Sequence, residues 1–431
     1  MKLFLQEIRK ILRPLPVLIL VAFTILFVFS FIKAPYDYLN GYPMSSDYVK
    51  LSAQLKEIVG EPVTPEKIDD GIAVLRQRVE MQALENIRQH MDILMPLGVT
   101  DYASYYALES KIFYSHSSED QINEIVSYGA SYSGYAPYDP KADYTLTQAE
   151  ADYAGRHGSF EFIGSASCQL EFIDNTLANA NNNYGAFMKM FDERNFFEGV
   201  YEGGRSRIGE ILRDNEMMNI LPPYEFSSHA GEAFTYLAIL ILLTICILFA
   251  PIVTRDNMAG VRALQYSSKA GRKTLRIQLC AMLTSAFMIA LAEIAVTFAV
   301  FLRGTWASYI HSGLHSLFSP YSYSWFAGTL GQWLICCAIL ILAVSLAATF
   351  FVFILSKVSK NYISLLLGLV PVTAAFVFIC VLLFAQPFSI TSESNNLYRY
   401  LPIPFAEAFV GGVLLAVGAI SAGIMLNKAK Y

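Results

Sequence analysis

The sequence predicts an all-α membrane protein. Six transmembrane helices, an amphipathic helix ahead of the first, and a large, mainly helical extracytoplasmic domain between the first and second make up the chain. Three observations carry that prediction. Of 431 residues, 55% are hydrophobic and only 16% charged, with a mean hydropathy of +0.41, too apolar for an ordinary soluble domain. Six apolar runs approach or exceed the roughly 20 residues that a helix needs to cross hydrocarbon. Lys and Arg, finally, gather on one side of those runs.

Taken in order, residues 1–14 come first. Phe4, Leu5, Ile8, Ile11 and Leu12 share one helical face and Gln6, Arg9, Lys10 and Arg13 the other, the pattern of a helix lying in the inner headgroup layer. Pro14 and Pro16 then break it and turn the chain into the bilayer. The first span is 15–32. Its apolar core is long for a cleaved leader, and "SFIKAPYDY" after it lacks a small-x-small cleavage pattern. The remaining spans are 233–253, 277–302, 326–356, 362–388 and 405–426. Pro371 in the fifth predicts a kink, and Gly411-Gly412 in the sixth a close packing site.

Orientation follows from charge. With the N-terminus in the cytoplasm, Lys2, Arg9, Lys10 and Arg13 lie inside, as do Arg255, Arg262, Lys269, Arg272, Lys273 and Arg276. Lys357 and Lys360 in the last inner loop and Lys428 and Lys430 in the tail (427–431) join them, against only Arg303 and Arg399 in the short outer loops. The positive-inside rule holds at every turn. Both termini are then cytoplasmic.

The long segment 33–231 reads as mainly helical. Thr64-Pro65-Glu66 is a helix start, and Ile68, Ile72, Leu75, Val79, Ala83, Ile87, Met91 and Leu94 follow at steps of three and four. Ser118 and Gln121 form a capping-box pair. "QLEFIDNTLANA" and "RSRIGEILRDNEMM" also read as helices. This segment holds 15 basic and 30 acidic residues, a net charge of −15. An acidic surface keeps the domain off anionic headgroups, or receives a cationic substrate or peptide. Of six cysteines, Cys168 alone falls here, so the domain holds no internal disulfide. The outer loop 303–325, with the start of the fourth run, is dense in aromatics and reads as a helix in the outer leaflet. His311 and His315 in it have the i, i+4 spacing of metal ligands but no third ligand, and interfacial packing is the better reading. The outer loop 389–404 carries no motif.

Catalytic signatures are missing. The chain has no G-x-x-x-x-G-K-[ST], no H-E-x-x-H, no G-x-S-x-G and no Cys-x-x-Cys. Nothing in it points to nucleic acid, a metal or a bound cofactor, so it reads as no enzyme. Glu293, about 24 Å into the third run at 1.5 Å per residue, stands as either a point on a membrane pathway or a structural inter-helix contact.

One stretch is distinctive, the inner loop 254–276 with its approach: "FAPIVTRDNMAGVRALQYSSKAGRKTLRIQL". It sets Asp256 four residues before Gly260, then Leu264, then Ser267-Ser268, then Gly271-Arg272-Lys273 leading into the third span. Either serine can cap a short helix and Gly271 allows a tight turn. Arg272, Lys273 and Arg276 then face the cytosol. This pattern resembles the permease subunits of ABC-2 type transporters, whose inner loop commonly reads acidic-x-x-x-Gly, Leu-x-Ser-x-Pro and a basic turn. The interfacial helix, six spans and an outer insertion after the first span are also similar to that family. Lys269-Ala270 stand where the family has Pro, and Gln278-Leu279 where it has a Lys near the third span. The resemblance covers about half the chain and leaves the outer domain unmatched.

The resemblance implies a loop that rests on a separate ATP-binding subunit through Asp256, Gly260, Ser267, Ser268, Gly271, Arg272, Lys273 and Arg276. It further implies ATP and Mg on that partner, a second permease copy or related permease, contact with membrane lipid, and a place in the bacterial plasma membrane. The expected activity is export of a peptide or lantibiotic-like, drug or lipid-like substrate. The competing expectation is a sensor or immunity protein whose outer domain binds an antimicrobial peptide without transport.

Overall fold

The computed structural model describes residues 2–41, 43–127, 135–136, 138–173, 202–214, 219–220, 225–260, 271–316, 323–390 and 397–428. They are almost entirely helical; the pairing Gly313 with Thr329 and Ser324 with Ser389 consists of isolated bridges. The chain divides into two compact units. One comprises Met1–Gly41, Phe197–Met217 and Tyr224–Tyr431, and the other Tyr42–Phe196 and Met218–Pro223.

The first unit contains six helices long and apolar enough to cross a membrane. Helix α1 (Lys2–Ile11) ends before Arg13, whose extended backbone and the following Pro14 start α2 (Pro14–Phe27) on a new axis. The helix then passes through a π-helical turn at Val28–Ile32 into α3 (Lys33–Gly41) without a break. Helices α12 (Glu225–Met258), α13 (Gly271–Phe301), α14 (Leu330–Val358), α15 (Tyr362–Phe384) and α16 (Ala406–Lys428) complete the set. Continuous helix is what hydrocarbon demands, since nothing there can satisfy an exposed backbone N–H or C=O.

Helix α12 is the hub. Its apolar window is 78% buried, against 11% for the first span and 17% for α15 and α16. It packs on α13, α14, α15 and the first span. Outward faces such as Leu18, Ile25, Leu26 and Phe29 on the first span, and Leu366, Leu367 and Val370 on α15, stay exposed and apolar. A surface of that kind suits lipid. Close approaches rest on small residues: a Cβ on Gly231 would overlap the carbonyls of Phe384 and Ala385, and one on Gly411 would come within 2.6 Å of Leu340. Gly412 faces open space. Pro371 is accommodated inside α15.

The loop before α14 differs from the expected outer-leaflet helix. A short 3₁₀ turn at Gly304–Tyr309 gives way, over the described residues 310–316 and 323–329, to irregular chain, and α14 starts only at Leu330, capped by Thr329. The cause is visible in the backbone. Leu314 N donates to Gly328 O (3.0 Å), Trp325 N to Phe388 O (2.9 Å) and Ile390 N to Tyr323 O (2.9 Å), so its groups pair between segments rather than within one helix. His315 is buried with Nε2 3.1 Å from Ser324 O, whereas His311 is exposed. Among the described residues no three His, Cys, Asp or Glu side chains gather as a metal site.

In the second unit α4 (Pro43–Val59), α5 (Pro65–Gln89), α6 (Met91–Leu94), α7 (Tyr102–His116), α8 (Glu119–Ser127), α9 (Gln148–Ala154) and α10 (Ser165–Phe172) follow one another. The face of α5 read from the sequence is its core face: Ile68, Leu75, Val79, Ala83 and Ile87 are all buried. Ser118 and Gln121 cap α8 reciprocally, while Thr64 occupies the N-cap of α5 without a side-chain bond. Helix α11 (Glu202–Arg213) and α3 belong to the membrane unit, so the helical unit is smaller than the 33–231 segment.

Replacing Gly231 by Val drives a side chain into the α15 carbonyls, and overpacking of this sort costs about 1–3 kcal/mol. Gly231→Val is expected to lower the unfolding temperature in detergent measurably, and an unchanged value would mean that α12 and α15 do not meet as described.

Candidate functional site at the basic end of the helix bundle

Asp256 sits in the last turn of α12, two residues before its end at Met258. Gly260 follows with φ +69, a left-handed position that ends the helix at no steric cost. The chain resumes as α13 at Gly271. Ser267 and Ser268, with the rest of 261–270, lie outside the described residues, as does the side chain of Arg272. Across the gap Gln278 Nε2 donates to Asp256 Oδ2 at 2.8 Å, with Gln278 itself buried. The two roots of the loop are therefore tied together by a charge-assisted hydrogen bond.

Lys273 and Arg276 are exposed and three residues apart, on one face of α13. Lys273, in the first turn of α13, opposes the helix macrodipole, typically by about 0.3–1 kcal/mol, and that turn has no acid to offset it. Neighbouring contacts make the same end rigid. Thr254 Oγ1 donates to Ser356 O (3.2 Å) and Ser356 Oγ to Ala250 O (3.0 Å), joining α12 to α14. Buried Lys357 donates from Nζ to Met425 O near the C-terminus of α16 (3.2 Å), where a cation is favoured.

Helix α1 packs against α13 at this end. Its buried positions are Glu7 and Ile11, with Lys10 Nζ 2.6 Å from Glu7 Oε1, while Leu5 and Leu12 remain exposed. The apolar face read from the sequence is thus shared between the bundle and the outside.

Glu293 lies eight residues before the far end of α13, about 12 Å from it. Thr24 of α2 and Thr244 of α12 turn toward its carboxyl. Among the described residues its Oε2 and the Thr244 hydroxyl are shielded from solvent without a hydrogen bond of normal length. Three membrane helices converge there on polar atoms that lack full pairing.

A second cluster occupies the helical unit. Glu109 on α7 is buried, and Tyr153 on α9 donates its hydroxyl to Glu109 Oε1 at 2.9 Å. The Tyr105 and Tyr153 hydroxyls are 3.5 Å apart, and Phe162 N donates to Tyr105 Oη at 3.3 Å. Burial pushes the Glu109 carboxyl up, against the donors Phe160 N, Tyr153 and Tyr105 that hold it down, and Glu161 raises it further. Burial also raises both tyrosines.

Compared with known proteins, the chain matches no family model, no curated protein and no solved structure.

Of the residues singled out in the sequence, Asp256, Gly260, Gly271, Lys273 and Arg276 fall around the roots of one loop, and Glu293 stands apart toward the other end of α13. Sequence reasoning missed Gln278. Its signal was present as the polar residue where the resembled family carries Lys. Glu109 gave none, being one acid among the 30 of its segment.

Two outcomes test these contacts. A double-mutant cycle of Asp256→Ala and Gln278→Ala should show coupling on the order of 1–2 kcal/mol, with faster amide exchange at 255–260; additivity would dissolve the tie. For Glu109, a folded-state pKa above the unfolded one adds stability below the unfolded value, and that stability is lost as pH rises through the folded value. Glu109→Gln should therefore raise the unfolding temperature of the helical unit at pH 8 and leave it nearly unchanged at pH 4.

Proposed function

We propose that this chain is the membrane-spanning subunit of an ATP-driven exporter of the ABC-2 type. The observation that carries the reading is the Asp256–Gln278 bond, which fixes the roots of a loop whose flank presents Lys273 and Arg276. In this reading the loop, with Ser267, Ser268 and Arg272, docks on a separate ATP-binding subunit that holds ATP and Mg²⁺. A rigid root lets a push on the loop move α12 and α13 together, where a slack one would absorb it. Because α12 packs on α13, α14, α15 and the first span, its displacement reaches most of the bundle.

Glu293 then has a role. A carboxyl flanked by Thr24 and Thr244, incompletely paired, is a polar point on the path between inward-open and outward-open states. The subunit works with a second copy or a related permease in the bacterial plasma membrane, with both termini cytoplasmic and the helical unit on the far side. Its substrate is a peptide or lantibiotic-like compound, a drug or a lipid-like molecule.

Purification from the native membrane in mild detergent should bring down a stoichiometric P-loop ATPase, and the triple variant Arg272→Ala, Lys273→Ala, Arg276→Ala should lose it together with transport. Full association and transport by the triple variant would refute the docking role. A chain that emerges without any ATPase would favour a non-transporting receptor instead.

A further inference from the structure

Between α7, α8 and α9 of the helical unit lies a cavity of about 390 Å³, within the size range of small-molecule sites. Its lining includes Glu109, Phe113, His116, Gln121, Tyr153 and His157, and no Lys or Arg. Glu109 is only 2% exposed. Its Oε1 accepts a hydrogen bond from Tyr153, and no Lys or Arg stands among the residues that line the cavity beside it. The nearest candidate on the same helix is already engaged: Lys111 Nζ binds both Glu150 oxygens at 2.9 and 2.7 Å. A carboxylate buried with hydrogen bonds but without a counter-cation costs stability.

Aromatic rings complete the wall. Phe113 stacks on Tyr135 with centroids 4.0 Å apart and 17° between planes, which fixes the ring that borders the cavity. Ring faces carry negative potential and attract cations. His157 is held by Glu161, with Nδ1 3.0 Å from Oε2, so a second acid stands behind that wall. The cavity thus combines one buried carboxyl, aromatic rings and no Lys or Arg.

We propose that this cavity binds an organic ammonium ion carrying an apolar body, with the ammonium on Glu109 and the body against Phe113 and Tyr153. The ligand supplies the missing counter-charge, so a group that weakens the empty unit becomes an asset when it is filled. Such a site would serve an exporter and a non-transporting receptor alike, and its test does not require the partner ATPase.

The test uses the full chain in detergent micelles and phenethylammonium as probe, titrated by ligand-observed saturation-transfer NMR. Saturable binding is expected, weakened about tenfold for the neutral isostere 2-phenylethanol and about tenfold by Glu109→Gln, since a charged pair gives way to a neutral one. Should Glu109→Gln fail to fold, His116→Lys provides the second arm: His116 is exposed in the last turn of α7, where a cation is tolerated. That variant should weaken the ammonium and leave 2-phenylethanol unchanged. The peptide acetyl-Gly-Lys-Gly-amide separates the sources, tighter binding than phenethylammonium assigning the ammonium to a peptide side chain and weaker binding to a free amine. Equal affinity for amine and alcohol, undiminished binding by a folded Glu109→Gln, or no saturable binding at all would overturn the proposal.

Discussion

A chain crossing hydrocarbon must satisfy its own backbone N–H and C=O groups, because no water is there to do it. Long uninterrupted helices follow, and so does a limit on what can hold them together. Lipid tails are as apolar as leucine, leaving close packing and the few polar contacts between helices to set their arrangement. In the membrane unit one end has four such contacts: Thr254 to Ser356, Ser356 to Ala250, Lys357 to Met425 and Gln278 to Asp256. The opposite end has Trp333 Nε1 to Pro387 O and Ser324 Oγ to Phe388 O, the close approach of Gly231 to the α15 carbonyls, and loops whose backbone bonds cross between segments.

At the basic end hydrogen bonds tie α12 to α13 and α14, and α12 packs on the helices around it. Lys273, in the first turn of α13, is unfavourable for the helix that bears it and stands beside the tied loop. Glu109 repeats the pattern in the helical unit, where burial and the absence of a counter-ion make a carboxyl costly within its own fold.

How much of this was legible in the sequence depends on the scale of the signal. Spans announce themselves through about twenty apolar residues in a row, and the core face of α5 through six residues at helical spacing, Ile68, Ile72, Leu75, Val79, Ala83 and Ile87. The capping pair Ser118 and Gln121 is a four-residue signal and was equally readable. Contacts between distant segments leave no such trace. The loop 303–325 looked helical from its aromatics, yet its backbone pairs with Gly328, Phe388 and Ile390 beyond it. Gln278 mattered only through Asp256, twenty-two positions earlier. Glu7 hides on the bundle side of α1, next to Lys10, where facial reading counted only apolar and basic residues. Glu109 became special through Tyr153, forty-four residues away.

The docking role of the loop is the central claim, and the most direct measurement of it is site-specific photocrosslinking in living cells. A photoreactive amino acid in place of Lys273 should, on illumination, join this chain to a P-loop ATPase in a single adduct identified by mass spectrometry. The same residue placed at Leu366, on the exposed apolar face of α15, should not. Adducts confined to lipid or to unrelated soluble proteins at position 273, with expression and membrane insertion intact, would contradict the account.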